Sequence, residues 1–418
     1  MKLRSHLALV VGLSVLFASQ PIYAQFSQQG LKLVGSGAAA PALQGDAISL
    51  SADGNTAIVG GRQDNGYIGA VWIWVRSNGV WSQQGPKLVA SDGTANGQQG
   101  TSVGLSADGN TAIVGGWLDN ESVGAAWIWV RSNGVWSQQG PKLVAPDTVT
   151  KAHQGISVAL SGDGDTAIVG GNLDGGRGAA WVWKRNGSVW SRQGAKLVGT
   201  DSVNSSNAGY SVALSADGST AIVGGPKDGG NDDGAAWIWT RSGDVWTQQG
   251  PKLVGSGGIF APEQGTSVSL SADGNTAIVG GMYDNVSIGA AWVWTRSGGV
   301  WTQQGPKLVG SDFVGRSLQG VSISLSGDGN TALIGGVGDA AFTGATWVFR
   351  RNGTVWTQQG NKILGSAAVG SANQGIAVDL SADGTTAIVG GYGDDTNAGA
   401  VWVFTAPPPR LILPRRHR

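Results

Sequence analysis

Between Thr266 and Val309 short apolar runs alternate with polar breaks in a fixed order. TSVSL (266–270) alternates polar and apolar residues, SADGN follows, and TAIVG (276–280) resumes the run. A loop, MYDNVSI, then leads into GAAWVWT (289–295), and the turn RSGG leads into VWTQQGPKLV (300–309). Side chains two apart share a face of an extended chain, so these runs predict four strands, called A to D in chain order. Asp-Gly between two such runs predicts a tight A–B hairpin, because glycine takes positive φ without a steric penalty. Gly305-Pro306 interrupts the fourth run, which places strand D at an outer edge where a missing N–H costs little.

The pattern recurs seven times. The aspartates of the phrase LSADGNTAIVGG and its variants fall at Asp53, Asp108, Asp163, Asp217, Asp273, Asp328 and Asp383, spaced 55, 55, 54, 56, 55 and 55 residues apart. Four-stranded units of this length cannot bury both faces alone, so the expectation is an all-β, seven-bladed β-propeller over residues 25–405, with strand A at the channel. The last unit stops after its third strand, at Val401-Trp402-Val403-Phe404. Its missing fourth strand stands at the other end of the chain, where Phe26 to Val34 (FSQQGLKLV) matches WSQQGPKLV. The ring is therefore expected to close by an N-terminal strand completing the last blade. Of the 19 tryptophans, those two apart on strand C point to one face of a sandwiched sheet and are read as packing; Trp117 lies outside the repeat.

The ends of the chain change the picture of location and charge. Lys2 and Arg4, the apolar run from Leu7 to Phe17, and Ile22-Tyr23-Ala24 read as a secretory signal peptide over 1–24, which predicts a secreted, periplasmic or surface location. Residues 406–418, APPPRLILPRRHR, read as a disordered tail. These two segments hold 6 of the 27 basic residues and none of the 27 acidic ones, so the body carries a net charge of about −6, unfavourable for nucleic acid. No run is long enough for a transmembrane helix. Absence of cysteine removes disulfides and thiolate chemistry, leaving core burial to hold the ring together.

With the unit laid out, the sequence resembles the FG-GAP repeat of integrin α-subunit propellers and their secreted bacterial relatives. The family's Phe-Gly pair becomes Gln264-Gly265, Gln319-Gly320 and Gln374-Gly375, or Ala208-Gly209. Its Gly-Ala-Pro becomes Gly-Gly-x, with proline kept at Gly224-Gly225-Pro226, and its aromatic strand survives as Gly289-Ala290-Ala291-Trp292-Val293-Trp294. The resemblance implies seven blades, protein ligands on the loop face, and calcium-type loops. Calcium needs several oxygen ligands, yet Ser49, Ser51 and Ala57 occupy the corresponding positions of the first unit. The expectation is a chain without a cofactor, Asp379 and Asp383 being the pair that comes nearest to a calcium site. The turn aspartates are read as hairpin formers. A second set eleven residues on, Asp64 to Asp394, is read as fixing the B–C loops by Asx-type bonds to nearby backbone.

Catalytic chemistry has little to rest on. After the signal peptide and before the tail there is one histidine, His153, and two glutamates, Glu121 and Glu263, and no pair of aspartates stands out by its spacing. Recognition is the better-supported class. A–B and C–D turns fall on one face and are nearly identical in every blade, whereas B–C and D–A connections fall on the other and diverge. Arg62, Trp117, Tyr283 and Tyr392, just after the Gly-Gly pairs, and Phe260, Phe313 and Arg316 in the D–A loops are the candidate ligand-binding residues, with His153 and Glu263 beside them. The reading is a non-catalytic propeller that recognises an extracellular protein. The alternatives are a lectin-like propeller stacking sugars on Trp117, Tyr283 and Tyr392, and a propeller hydrolase using an aspartate pair.

Overall fold

Strand B decides how the blades pack, because every residue of TAIVGG is buried in all seven units, with leucine and isoleucine replacing Ile-Val at Leu333-Ile334. A strand buried on both faces must sit between neighbours. The computed structural model describes residues 25–406 except 40 and 150, and it shows seven four-stranded antiparallel sheets in a ring, a β-propeller. The signal peptide reading (1–24) and all of the tail reading beyond Ala406 lie outside the described residues. Blades are numbered by their A strands from the N-terminus. Blade 5 is typical: Ser267–Leu270, Thr276–Gly281, Ala290–Ser297 and Val300–Gln303. Its strand D ends at Gln303 and rejoins the sheet as a single bridge from Leu308 to Ala291, so Gly305-Pro306 breaks the outer strand.

The first tryptophan of each strand C, from Trp72 to Trp402, is fully buried between blades, and the second position is nearly so. At about 25 cal/mol per Å2 and roughly 150–250 Å2 per ring, each buried indole contributes up to about 4–6 kcal/mol against an extended chain. The packing reading of these rings holds. On the outer strands, Arg296 lies over Trp301 at 5.3 Å, and five other blades repeat the pair.

Ring closure is visible at two radii. Outside, Ser27 and Gln28 pair with Thr405 and Phe404, Leu33 bridges to Val401, and Phe26 packs in one cluster with Trp402 and Phe404. Inside, the Ala52 N–H donates to the Ala107 carbonyl at 2.9 Å, Ala107 to Gly162, and so on through Ala216, Ala272, Gly327 and Ala382, which donates back to Ala52 at 2.9 Å. This girdle needs small residues, since a Cβ on Gly162 would come within 3.3 Å of the Ala216 methyl. Each turn aspartate caps its own hairpin: Asp53 accepts from the Ser51 hydroxyl at 2.6 Å and from the Asn55 N–H at 2.9 Å, as expected. The following glycine has positive φ and packs against the preceding blade, as Gly54 does against Thr386.

The second set of aspartates is structural by another route than expected. Asp284 is buried and accepts the N–H of Ile259, 25 residues upstream in the D–A loop, at 2.8 Å. Its other oxygen meets Lys307, four residues past the end of strand D, at 2.5 Å, and each blade repeats the arrangement, down to Lys32 with Asp394 in blade 7. An Asx bond to nearby backbone is replaced by a clamp between two loops. A buried carboxylate needs a counter-charge, and the lysine of GPKL, or of GLKL, GAKL and GNKI in three of the seven units, supplies it.

Candidate functional site

The clamps tie each D–A loop to its B–C loop in every blade, the B–C loop being one residue shorter in blade 3 and one longer in blade 4, and on that frame three rings of side chains change from blade to blade. The innermost lies at the start of strand A: Asp46, Thr101, Ile156, Tyr210, Thr266, Val321 and Ile376, which line the mouth of the axial channel. The next precedes the Gln-Gly or Ala-Gly pair: Leu43, Gln98, His153, Asn207, Glu263, Leu318 and Asn373. All seven have φ of 53 to 59°, a left-handed conformation that favours glycine. Glycine is plentiful in this chain, so side chains at these positions are kept against a backbone cost of about 1 kcal/mol each. The third ring follows Gly-Gly: Arg62, Trp117, Asn172, Pro226, Met282, Val337 and Tyr392.

Contacts between the rings set the electrostatics of the mouth. Arg62 pairs with Asp46 at 2.5 Å. Burial pushes the Asp46 carboxyl up to about 6 although the Arg62 charge opposes it. Lys227 bridges Glu263 and Asp232. Burial would lower Lys227, but its two carboxylate partners hold it above the usual lysine range; Glu263 is raised, burial outweighing its lysine. Tyr210 is 37% exposed, yet it stands in a depression and its phenol is raised by burial and then by Glu263 and Tyr283, with Arg62 and Asp46 also acting on it. Tyr392 is raised by burial and by Asp46. Tyr210, Tyr392, Glu263, Tyr283, Arg62 and Asp46 therefore form one electrostatically connected group.

A second group sits between blades 2 and 3. The Trp117 indole donates to Gln98 Oε1 at 2.9 Å, and the His153 ring meets it edge-on, centroids 4.6 Å apart. Burial lowers the His153 pKa, Lys151 adds to this, and the side chain of Asn172 opposes it. Asn172 lies close enough to support a charged imidazole, but its buried Oδ1 makes no aligned hydrogen bond.

Several expected residues land elsewhere than the sequence suggested. Tyr283 is one position beyond Tyr392 in the repeat and precedes a left-handed turn at Asn285–Ser287. Trp117 is half-buried and tied to two partners. Phe313 is partly buried, packing against the blade 6 core. Phe260, by contrast, is 76% exposed with φ of 54°. Arg316 is exposed, and its guanidinium has no ion-pair partner among the described residues. Asp379 and Asp383 share no hydrogen-bond partner. Asp379 lines the channel, and Asp383 caps its own turn through Ser381 and Thr385. Groups of three or more metal-ligating side chains are absent among the described residues. Asp46, Tyr210 and Lys227 were missed; for the first two the signal was the column after Gln-Gly or Ala-Gly, which holds five residue types over seven blades, and Lys227 stands two residues after a Gly-Gly pair.

Comparison with known proteins agrees with the fold. The family model described as FG-GAP repeat matches residues 81–129 and 136–183. Each match begins in one blade's outer strand and ends in the next blade's third strand, the same one-strand offset that leaves blade 7 to be completed by the N-terminus. Among solved structures the chain is similar to Kuenenia stuttgartiensis hydrazine synthase, with a TM-score of 0.55 and 13% identity, covering 91% of this chain and 98% of that one. At that identity the likeness concerns the fold alone. No curated protein matches the chain.

Proposed function

We propose that this chain, a seven-bladed propeller carrying FG-GAP repeats, is an exported, non-catalytic binding module that recognises a protein ligand at the channel mouth. The observation that carries the reading is the contrast between its faces. A–B and C–D turns are nearly alike from blade to blade, while three rings on the opposite face vary widely, one of them in a conformation that disfavours side chains. Varied side chains on a rigid frame suit recognition, and tyrosine, tryptophan and arginine are common anchors. Asp46 is committed to Arg62 and Glu263 to Lys227, which suits binding better than proton transfer.

The test is capture from the medium of the exporting cell by the chain without residues 1–24. A Tyr210→Ala/Tyr392→Ala variant should lose the captured protein, and Asn275→Ala on the opposite face should keep it. Capture that survives the mouth variant would refute the assignment. A second reading, glycan binding, is favoured by one feature: the partly exposed Trp117 indole on the varied face, an aromatic surface on which a sugar ring can stack. Binding on a glycan array that is lost in Trp117→Ala would favour it over a protein ligand.

A further inference from the structure

The channel below the mouth holds an unbalanced charge. The seven B–C aspartates, Asp46 and Glu263 each have a lysine or arginine within ion-pair distance. Asp379 has none among the described residues. It stands on strand A of blade 7 where other blades carry Ser49, Gly104, Ala159, Ala213, Ser269 or Ser324. The carboxylate is enclosed by protein but keeps part of its surface open to a channel cavity of about 240 Å3. Its Oδ2 accepts the Leu50 N–H at 2.7 Å, and its Oδ1 accepts the Ser324 hydroxyl at 2.8 Å and the Leu380 N–H at 2.9 Å. The Ser49 hydroxyl is a fourth partner, so the carboxylate's roughly four acceptor sites are engaged, and a cation would take the place of the two serine hydroxyls, whose oxygens can turn to accept from it.

The neighbours of Asp379 define what would fit. Ser269, Ser324 and Ser49 continue its arc over blades 5, 6 and 1, so hydroxyl oxygens flank the charge, whereas Gly104 and Ala159 offer no polar side chain on the opposite arc. Above this level a collar of valine and isoleucine, Ile48, Val103 and their counterparts through Val378, joins the lower cavity to the one at the mouth, of about 220 Å3. Asp46 lies three residues before Ser49 on its strand, and at a rise of about 3.3 Å per residue the lip is about 10 Å above the carboxylate. We propose that the axial channel binds a primary ammonium group on an unbranched aliphatic stem, with the stem in the apolar collar and the ammonium at Asp379, Ser324 and Ser49.

Inorganic cations match this arrangement less well, since the collar offers them no oxygen. Branched quaternary ions match less well because the ammonium's three N–H groups suit the carboxylate and hydroxyls. Burial raises the Asp379 pKa, as expected for a carboxylate awaiting a counter-charge, although the N–H groups of Leu50 and Leu380 and the hydroxyls of Ser324 and Ser49 pull against it. The site does not depend on the mouth recognising a protein. A lysine side chain of such a ligand and a free alkylamine share the same chemistry.

Calorimetric titration with n-butylamine, with butan-1-ol, tetramethylammonium, potassium and calcium as controls, tests the proposal on the chain from residue 25. Saturable binding of the amine alone is expected, weakening as the pH falls and Asp379 protonates. Asp379→Ser, which installs the residue that blades 1, 5 and 6 already carry, should fold and bind at least about 10-fold more weakly, the scale of one hydrogen bond to a charged group. No saturation by the amine, equal binding by Asp379→Ser, or equal binding of any control would overturn the proposal. A lysine peptide and its Nε-acetylated form separate the sources. Loss of binding on acetylation identifies a lysine guest, and binding of the free amine alone identifies a small-molecule guest; both support the ammonium site. Channel binding that persists in Tyr210→Ala/Tyr392→Ala would leave the site standing if the mouth reading fails.

Discussion

Gln28 stands opposite Phe404 in the outermost pairing of blade 7, so residues from the two ends of the propeller share one sheet. Phe26 beside them is buried with Trp402, filling the place that a strand D tryptophan takes in the other six blades. Deleting residues 26–34 removes this strand, opens the hydrophobic cluster of blade 7 and strips Asp394 of Lys32. The chain lacking 26–34 should melt well below its parent, whereas removal of 407–418 should shift the midpoint little. Equal midpoints for the first deletion and the parent, by circular dichroism, would mean that the seam does not close the ring.

The loop clamps make a second prediction. Lys307→Met leaves Asp284 buried with one loop N–H and no counter-charge, and breaking a buried pair from one side costs about 3–5 kcal/mol. Lys307→Met/Asp284→Asn removes the charge as well and should recover part of that loss. Denaturant titration of parent, single and double variants gives the comparison; a single variant as stable as the parent would show that Asp284 is adequately solvated without its lysine.

How much of this was legible in the sequence follows from what repeats. Strand order, hairpins and the split blade were readable because TAIVGG, the Asp-Gly turns and the tryptophan pairs recur at one spacing, and Phe26–Val34 aligned with the missing strand. The partners of Asp284 were not readable, because Ile259 and Lys307 lie 25 residues before it and 23 after it, joined only when the blade folds. The mouth was half-readable. The loops read as the varied face, but Asp46 and Tyr210 sit at the starts of strands, where a periodic pattern hides them, and the partial packing of Phe313 against blade 6 depends on contacts between blades. Asp379 was noticed for the wrong neighbour: its sequence partner was Asp383, and its spatial partners are Ser324 and Leu50 of the flanking blades.

The tryptophans should separate scaffold from surface. Trp127 is fully buried and its indole donates to Asp92 Oδ1 at 2.9 Å, so Trp127→Ala should cost about 3–5 kcal/mol as a large-to-small core change. Trp117 is half-buried and held by Gln98 and His153, so Trp117→Ala with Tyr283→Ala should cost less, about 1–2 kcal/mol. Denaturant midpoints decide it. A double variant as unstable as Trp127→Ala would make Trp117 part of the scaffold and remove it from the recognition face.

The mouth carboxylate should leave a mark on the pH dependence of stability. Asp46 titrates at about 6 in the folded chain, above the ordinary aspartate value, because burial outweighs Arg62. A raised acid pKa means that the folded chain holds the proton more tightly than the unfolded one. The contribution of this group is therefore fully present below about pH 4 and is lost as the pH rises through about 6. Two units correspond to about 2–3 kcal/mol. The turn aspartates act in the opposite sense. For Asp53, burial alone would raise the pKa, but the Ser51 hydroxyl, Asn55 and the Arg76 charge hold it below the usual range, so its contribution is present above the ordinary value and lost as the pH falls below it. Asp46→Asn removes only the first effect. Between pH 4 and 7 the variant should gain stability relative to the parent by up to about 2–3 kcal/mol, whatever constant offset the lost Arg62 pair introduces. Parallel stability curves for the two chains over that interval would show that Arg62 and the lip solvate Asp46 well enough to return its pKa to the ordinary range.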